Sequence, residues 1–326
     1  MGGDFAPSHV VDGALQAAHE SAGRFSVVLV GQEDRIRAEL QKHPRRGDGI
    51  SIVHASQVIE MSDVPNAALK TKKDSSITVG VTLHRDGKAD GFVSAGNTGA
   101  VLSASTLLLG RLKGVSRPTI GALIPTEKGQ CLLADAGTNV DCKPRHLLEF
   151  GVMGSIYVSS MLGKENPSVA LLSIGEEDTK GNEASLAAFA LLKESRLNFI
   201  GNVEGRDLLS GKADVVICDG FVGNILLKFG ESVPGFFKAK FTSFASHSML
   251  NTLIGLVARK GLRTVMRELD YQEHGGVPLL GINGVSIIGH GGSSPKAIKN
   301  MIFRAEEMIQ RKVNSRIQQT MLQYHE

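Results

Sequence analysis

Short apolar runs that stop at a polar, glycine-bearing turn and pass straight into a helix-like segment recur along this chain. That rhythm restricts it to an α/β fold. Gly91-Phe92-Val93 leads into Ser94-Ala95-Gly96-Asn97-Thr98-Gly99-Ala100, and an apolar segment without a breaker follows to Leu109. Residues 25–30 end in Gly31 before a charged helix at 32–42, and 50–54 is a further strand. Helices are expected at 8–22, 65–73, 75–85, 145–162, 183–194 and 295–323. Runs that are apolar throughout, such as 168–174, read as strands buried on both faces, the mark of a parallel sheet with helices on either side. One connection breaks the pattern. Strands 119–125 and 130–134 are separated only by Thr126-Glu127-Lys128-Gly129, a hairpin, so the sheet is expected to be mixed.

The polar strand ends are 94–100, 135–139, 175–182, 201–207, 219–224 and 289–294, and a doubly wound sheet is expected to gather them at one edge into a shared ligand pocket. Gly96 and Gly99 let backbone approach a ligand, and the free N–H groups of the following helix start favour phosphate or carboxylate. A plain turn uses the same residues, with Asn97 or Thr98 capping the helix. Asp135 and Asn139 equally suit ligand contact or turn formation, and His290 suits an anion contact or a capped turn.

Composition narrows the classes of function. The chain has 326 residues, 42% hydrophobic and 21% charged, enough to bury a large core. A net charge of +3 is too small for a protein that wraps nucleic acid through its overall field. Cys131, Cys142 and Cys218 are odd in number and lack metal-ligand spacing, so they read as free thiols of a reducing, cytoplasmic compartment. No apolar run reaches the roughly 18 residues of a membrane span, and no leader pattern is present. Dinucleotide, P-loop, nucleophile-elbow and zincin motifs are absent, so anion binding and oxyanion stabilisation by positioned donors remain.

Taken together, MGGDFAP at 1–7, SAGNTGA at 94–100, DAGTN at 135–139, IGEEDTKGN at 174–182, GNVEGRD at 201–207, DGFVGN at 219–224 with Lys228, GGVPLLGINGV at 275–285 and HGGSS at 290–294 resemble the bacterial phosphate acyltransferases of the PlsX family. The resemblance implies one catalytic domain over 1–326, a three-layer α/β/α fold with a mostly parallel mixed sheet like isocitrate dehydrogenases and phosphotransacetylases, and a homodimer. It implies transfer of a fatty acyl group from acyl carrier protein to inorganic phosphate, without metal or redox cofactor. The acyl phosphate product would feed a membrane acyltransferase of phospholipid synthesis. Carried onto the matching positions, Lys180 opposes phosphate or oxyanion charge and Asn224 donates to the carbonyl. Asp4, Gly96, Asn97, Thr98, Asn139, Lys228, His290, Gly291 and Ser293 are the expected substrate-binding groups. An acyl-CoA enzyme and a noncatalytic acyl- or phosphate-binding regulator are the alternatives.

Two departures from the common pattern stand out. Relatives carry an apolar strand ahead of the Met-Gly-Gly-Asp turn, and none precedes Met1-Gly2-Gly3-Asp4 here, so a first strand is expected to be missing. Between 232 and 267 there is no acid, while Lys238, Lys240, Arg259, Lys260 and Arg263 supply positive charge beside apolar stripes at helical spacing. A helical hairpin over 232–270 is expected, basic and apolar-faced, suited to acidic acyl carrier protein or to peripheral contact with anionic lipid, or else to a subunit interface or the core.

Overall fold

The computed structural model describes residues 1–43, 49–268, 273 and 275–324, without the side chains of 256, 259, 260 and 262–268. The first part comprises α1 (Ser8–Ser21), β1 (Val27–Gly31), α2 (Glu33–Gln41), β2 (Ile50–His54), α3 (Pro65–Thr71), α4 (Ser76–Arg85), β3 (Gly91–Ser94) and α5 (Thr98–Ala104). A π-helical turn, Ser105–Leu109, continues α5. Next come β4 (Thr119–Thr126), β5 (Gly129–Ala134), α6 (Pro144–Leu162), β6 (Ser168–Leu172), α7 (Glu183–Lys193), β7 (Asn198–Val203), α8 (Asp207–Ser210) and β8 (Val215–Ile217). The chain closes with α9 (Gly220–Ala245), α10 (Met249–Glu268), β9 (Val277–Leu280), β10 (Val285–Ile288), α11 (Pro295–Gln310) and α12 (Val313–Gln323).

Eight strands form one sheet in the order β3-β10-β9-β4-β5-β8-β6-β7, and β1-β2 form a separate parallel pair. Alternate side chains of the large sheet go to opposite layers. Leu132, Val169, Leu171, Val215, Ile217 and Ile287 pack with α6, α11 and α12. Their neighbours Leu133, Ala170 and Val216 pack with Leu208 and Leu226, and Phe92, Ile120 and Ile288 pack with α4 and α5. Both faces are therefore covered, which explains the unbroken apolar runs of β6 and β8. The three-layer mixed sheet is the expected architecture.

The expectation that all polar strand ends share one edge is corrected. β4 pairs antiparallel with both β5 and β9, and β9 pairs antiparallel with β10. Strands β3, β10 and β4 therefore run one way, and β5, β8, β6, β7 and β9 the other. The turns at 94–100 and 289–294 leave one edge of the sheet, while those at 135–139, 175–182 and 219–224 leave the opposite edge. The hairpin at Thr126–Gly129 causes this reversal. The expected last helix is also broken. Lys312 adopts φ 52 and divides it into α11 and α12 without a Gly or Pro to announce the break.

The basic hairpin consists of α9 and α10, joined at residues 246–248, and residues 269–272 and 274 lie outside the described residues. Beyond its first turns α9 stands largely clear of the sheet, and Phe236, Phe237, Leu250, Leu253 and Val257 are exposed. No helix among the described residues is long and apolar enough to cross a membrane.

Cys131 and Cys218 are buried and Cys142 half-buried, all as free thiols. Burial first, then neighbouring carboxylates, pushes Cys131 and Cys142 up to about 12 and Cys218 upward as well. An unfolded thiol ionises near about 8.5, so the stabilising difference is complete below that pH and is lost as pH rises toward the folded value. The thermal midpoint should therefore fall between pH 8 and 9.5, and fall less in Cys142→Ala; an identical fall in the variant would count against this burial. A second test concerns α9. A Cβ at Gly223 would overlap the Asp135 carbonyl oxygen, whereas one at Gly230 would meet nothing within 4 Å. Gly223→Ala should destabilise by about 1–3 kcal/mol and Gly230→Ala should stabilise by about 0.5–1 kcal/mol. Equal effects in chemical denaturation would contradict the close seating of α9.

Candidate active site

The site is built where α9 begins. Asp219 caps the helix by accepting from the Val222 N–H at 2.8 Å, and the Gly220 N–H donates to the Asn139 carbonyl at 2.7 Å. A Cβ on Gly220 would lie 2.7 Å from the Asn139 amide nitrogen, so glycine at 220 and 223 lets the helix rest directly on the Asp135–Asn139 turn. That turn is organised by the buried Asp135 carboxylate. It accepts from the backbone N–H of Ile120 and Thr138 at 3.1 Å each, from that of Asn139 at 2.6 Å, and from the Asn139 side-chain amide at 2.8 Å. Burial raises the Asp135 pKa while the donors from Asn139, Thr138 and Ile120 oppose the rise.

Gly137 takes φ 132 and leaves room for Asn224, whose Cβ would stand 3.3 Å from a Cβ added there. The Asn224 amide makes no hydrogen bond among the described residues. On the helix it shares a flank with Lys228, while Val222 and Leu226 point the other way. Leu227 closes the cluster that also holds Ala100 and Val101 of α5. Helices α5 and α9 thus cover the same face of the sheet, entering from opposite edges.

On the Val222–Leu226 side a cavity of about 440 Å³ opens between the carboxyl ends of β6 and β8. Its floor is apolar, with Leu147, Leu171 and Leu226, and Asp141, Asn182 and Asp219 add polar groups to its wall. Cys142 and Cys218 also line it, and their raised pKa values keep them as neutral thiols rather than nucleophiles. The 175–182 loop borders this cavity through Gly181 and Asn182. Within that loop, Asp178 pairs with Lys193 at 3.1 Å and Glu176 with Lys212 at 2.7 Å. The Lys180 backbone is tied to Glu177 and to the Ser173 hydroxyl, but its exposed ammonium has no ion pair among the described residues.

The substrate-binding groups expected at the other turns form a separate cluster beside β3 and β10. The Asn97 side-chain amide donates to the carbonyls of Glu60, Met61 and Asp63 at 3.1–3.3 Å, and its oxygen caps α5 by accepting from Ala100 at 3.0 Å. Thr98 opens α5, and Gly96 packs near Ile77 and Met1. The Asp4 N–H donates to the Gly291 carbonyl at 2.9 Å, and its carboxylate faces Gly291 and Gly292. His290 Nδ1 accepts from Gly292 at 3.1 Å, and the Ser293 hydroxyl donates to the His290 carbonyl at 2.6 Å. None of this cluster lines the 440 Å³ cavity.

Asn139 belongs to the α9 side, where its amide serves Asp135 and the Pro118 carbonyl at 2.8 Å each. Lys228 pairs with Glu231 at 2.7 Å. Lys238 and Lys240 lie exposed on α9, with the Lys240 ammonium 5.6 Å from the Phe236 ring centroid. Arg259, Lys260 and Arg263 fall on α10, but their side chains lie outside the described residues. Sequence reasoning gave Asp135 no central role; its signal was an acid directly after an apolar strand and followed by Gly and Asn, the composition of a carboxylate-centred turn.

Residues 1–316 match the family described as Fatty acid synthesis protein. The phosphate acyltransferase of Pelotomaculum thermopropionicum is 49% identical over 313 residues, covering 96% of this chain and 91% of that protein. The phosphate acyltransferase of Endomicrobium trichonymphae is 48% identical over 332 residues, covering 100% and 97%. Among solved structures, the EutD phosphotransacetylase from Staphylococcus aureus superposes with a TM-score of 0.61 at 17% identity, covering 93% of this chain and 92% of that one. A phosphotransacetylase from Streptococcus pyogenes gives the same score and identity, covering 91% of each chain. These two share the fold. The near full-length matches in sequence go further: this chain belongs to the fatty acid synthesis protein family, alongside relatives that carry the name phosphate acyltransferase.

Proposed function

We propose that this protein is a phosphate acyltransferase that moves a fatty acyl group from the thioester of acyl carrier protein to inorganic phosphate. The acyl phosphate would supply a membrane acyltransferase in phospholipid synthesis. Its relatives' name supports the acyl transfer to phosphate. The observation that carries the assignment of residues is a contrast in side-chain use. Asn97 and Asn139 spend their amides inside the fold and Lys228 its charge on Glu231, whereas among the described residues the Lys180 ammonium has no ion pair and the Asn224 amide no hydrogen bond.

In the reaction a phosphate oxygen attacks the thioester carbonyl carbon and forms the new C–O bond. The tetrahedral oxyanion collapses, the C–S bond breaks, and the carrier thiolate leaves and takes up a proton. Lys180 opposes the negative charge of phosphate, and Asn224 donates to the developing oxyanion. The product is a mixed anhydride that water hydrolyses, so the reaction requires a centre from which water is largely excluded. Acyl phosphate formation, followed by mass spectrometry, should drop about 100- to 1000-fold in Lys180→Ala and Asn224→Ala, with folding intact. Asn97→Ala and Asn139→Ala should chiefly lower the thermal midpoint. Wild-type turnover in both of the first two variants would refute their roles, and faster transfer from acyl-CoA than from acyl carrier protein would move the donor assignment.

The working unit in this reading is a cytoplasmic homodimer with peripheral contact at the inner face of the membrane. The α9–α10 hairpin is the proposed docking element, because exposed Phe237, Leu253 and Val257 accompany an acid-free, lysine-bearing stretch. Replacing Lys238, Lys240, Arg259, Lys260 and Arg263 by Gln should raise the KM for acyl carrier protein or weaken binding to anionic liposomes. Wild-type values in both measurements would remove the hairpin from either role.

A further inference from the structure

The loop that carries Lys180 is held from the core by Asn202 of β7, whose Nδ2 donates to the Glu177 carbonyl at 2.9 Å. The same carbonyl accepts from the Lys180 N–H at 3.0 Å and so closes the four-residue turn 177–180. Where that turn ends, the Ser173 hydroxyl donates to the Lys180 carbonyl at 3.0 Å. The Lys180 stem lies over Gly175, where an added Cβ would stand 3.0 Å from its Cγ. The loop's ion pairs, Glu176 with Lys212 and Asp178 with Lys193, sit on its exposed side and hold it weakly.

Asn202 reaches the loop because β7 carries a bulge. Val169 of β6 pairs with Phe199, but Leu171 pairs with Asn202, so β7 uses one residue more than β6 over this interval. Gly201 lies inside it at φ 98, a backbone that side chains rarely adopt. Strand partners share a face, so Asn202 stands beside Leu171, which packs with α6 and lines the 440 Å³ cavity. Val203 packs with Leu133 and Val216 on the other face. In unbroken register Gly201 would stand beside Leu171 and the Asn202 side chain would face away from the loop.

Asn202 is buried, and its Oδ1 accepts no hydrogen bond among the described residues. The Glu177 carbonyl needs a donor, which fixes the amide nitrogen on that side and leaves the oxygen without a partner. A buried unpaired oxygen costs stability, so an apolar side chain would serve the fold at least as well. We propose that Asn202 is a positioning residue: by holding the Glu177 carbonyl it fixes the turn that presents the Lys180 ammonium. The inference rests on the reading of Lys180 as the group that opposes the charge of phosphate.

Asn202→Leu and Asn202→Ala both remove the donor, one nearly filling the space and one leaving it. The measurement is kcat/KM for phosphate, from acyl phosphate formed with acyl carrier protein thioester, at a temperature where far-ultraviolet circular dichroism reports a folded chain. It is made on each variant, on Lys180→Ala and on the double variants. Each Asn202 variant should lose about tenfold or more. In the Lys180→Ala background the same substitutions should cost no more than about twofold, because the turn then has no ammonium to present, whereas a general weakening of the fold would add in full. Wild-type kcat/KM in a folded Asn202 variant, or a further loss of about tenfold on top of Lys180→Ala, would overturn the inference. Wild-type turnover in Lys180→Ala alone would overturn both the inference and the reading beneath it, and that single variant tells the two failures apart.

Discussion

The architecture of the candidate site rests on one buried carboxylate. Asp135 gathers the N–H groups of Ile120, Thr138 and Asn139 with the Asn139 amide, and so freezes the turn after β5 into a platform. Such a carboxylate would be costly to bury without these donors. Gly220 and Gly223 then allow α9 to settle on the platform at a separation that any Cβ would forbid. The arrangement around α9 follows from that seat: Asn224 is held against Gly137, Val222 and Leu226 turn toward the cavity, and the hairpin is projected away from the sheet.

Much of the fold was legible because apolar periodicity reports burial directly. The strands β5 and β6 and the helices α1, α6 and α7 follow from runs that only a doubly covered sheet or an amphipathic helix explains. The hairpin at Thr126–Gly129 was legible too, but its consequence was not. A single antiparallel pairing between β4 and β5 reverses half the sheet and sends turns of similar composition to opposite edges. Strand direction depends on pairings far apart in sequence, which local patterns do not encode. Lys312 is another such case, a non-glycine residue in the left-handed region that tertiary packing imposes.

The site was legible in composition and not in allocation. Asn97, Asn139, Asn224 and Lys180 all look like donors for an anion in sequence. In the structure Asn97 is a helix cap that also fastens the 60–63 segment, and Asn139 is a strut for Asp135. Capping and ligand binding use the same side-chain groups, and only the count of partners already satisfied distinguishes them. Family membership, carried by near full-length identity, supports acyl transfer to phosphate without requiring that all the glycine-rich turns meet in one cavity.

We propose that the Asp135 turn, by seating α9, positions Asn224 for the proposed acyl transfer. Asp135→Asn keeps the side chain's size but turns an acceptor of several N–H groups into a partial donor facing them. Its kcat for acyl phosphate formation, measured at a temperature where far-ultraviolet circular dichroism reports a fully folded chain, is the most direct test. The account predicts a fall of at least about tenfold, as expected when a catalytic group is displaced by around an ångström; a folded Asp135→Asn enzyme with wild-type kcat would contradict it.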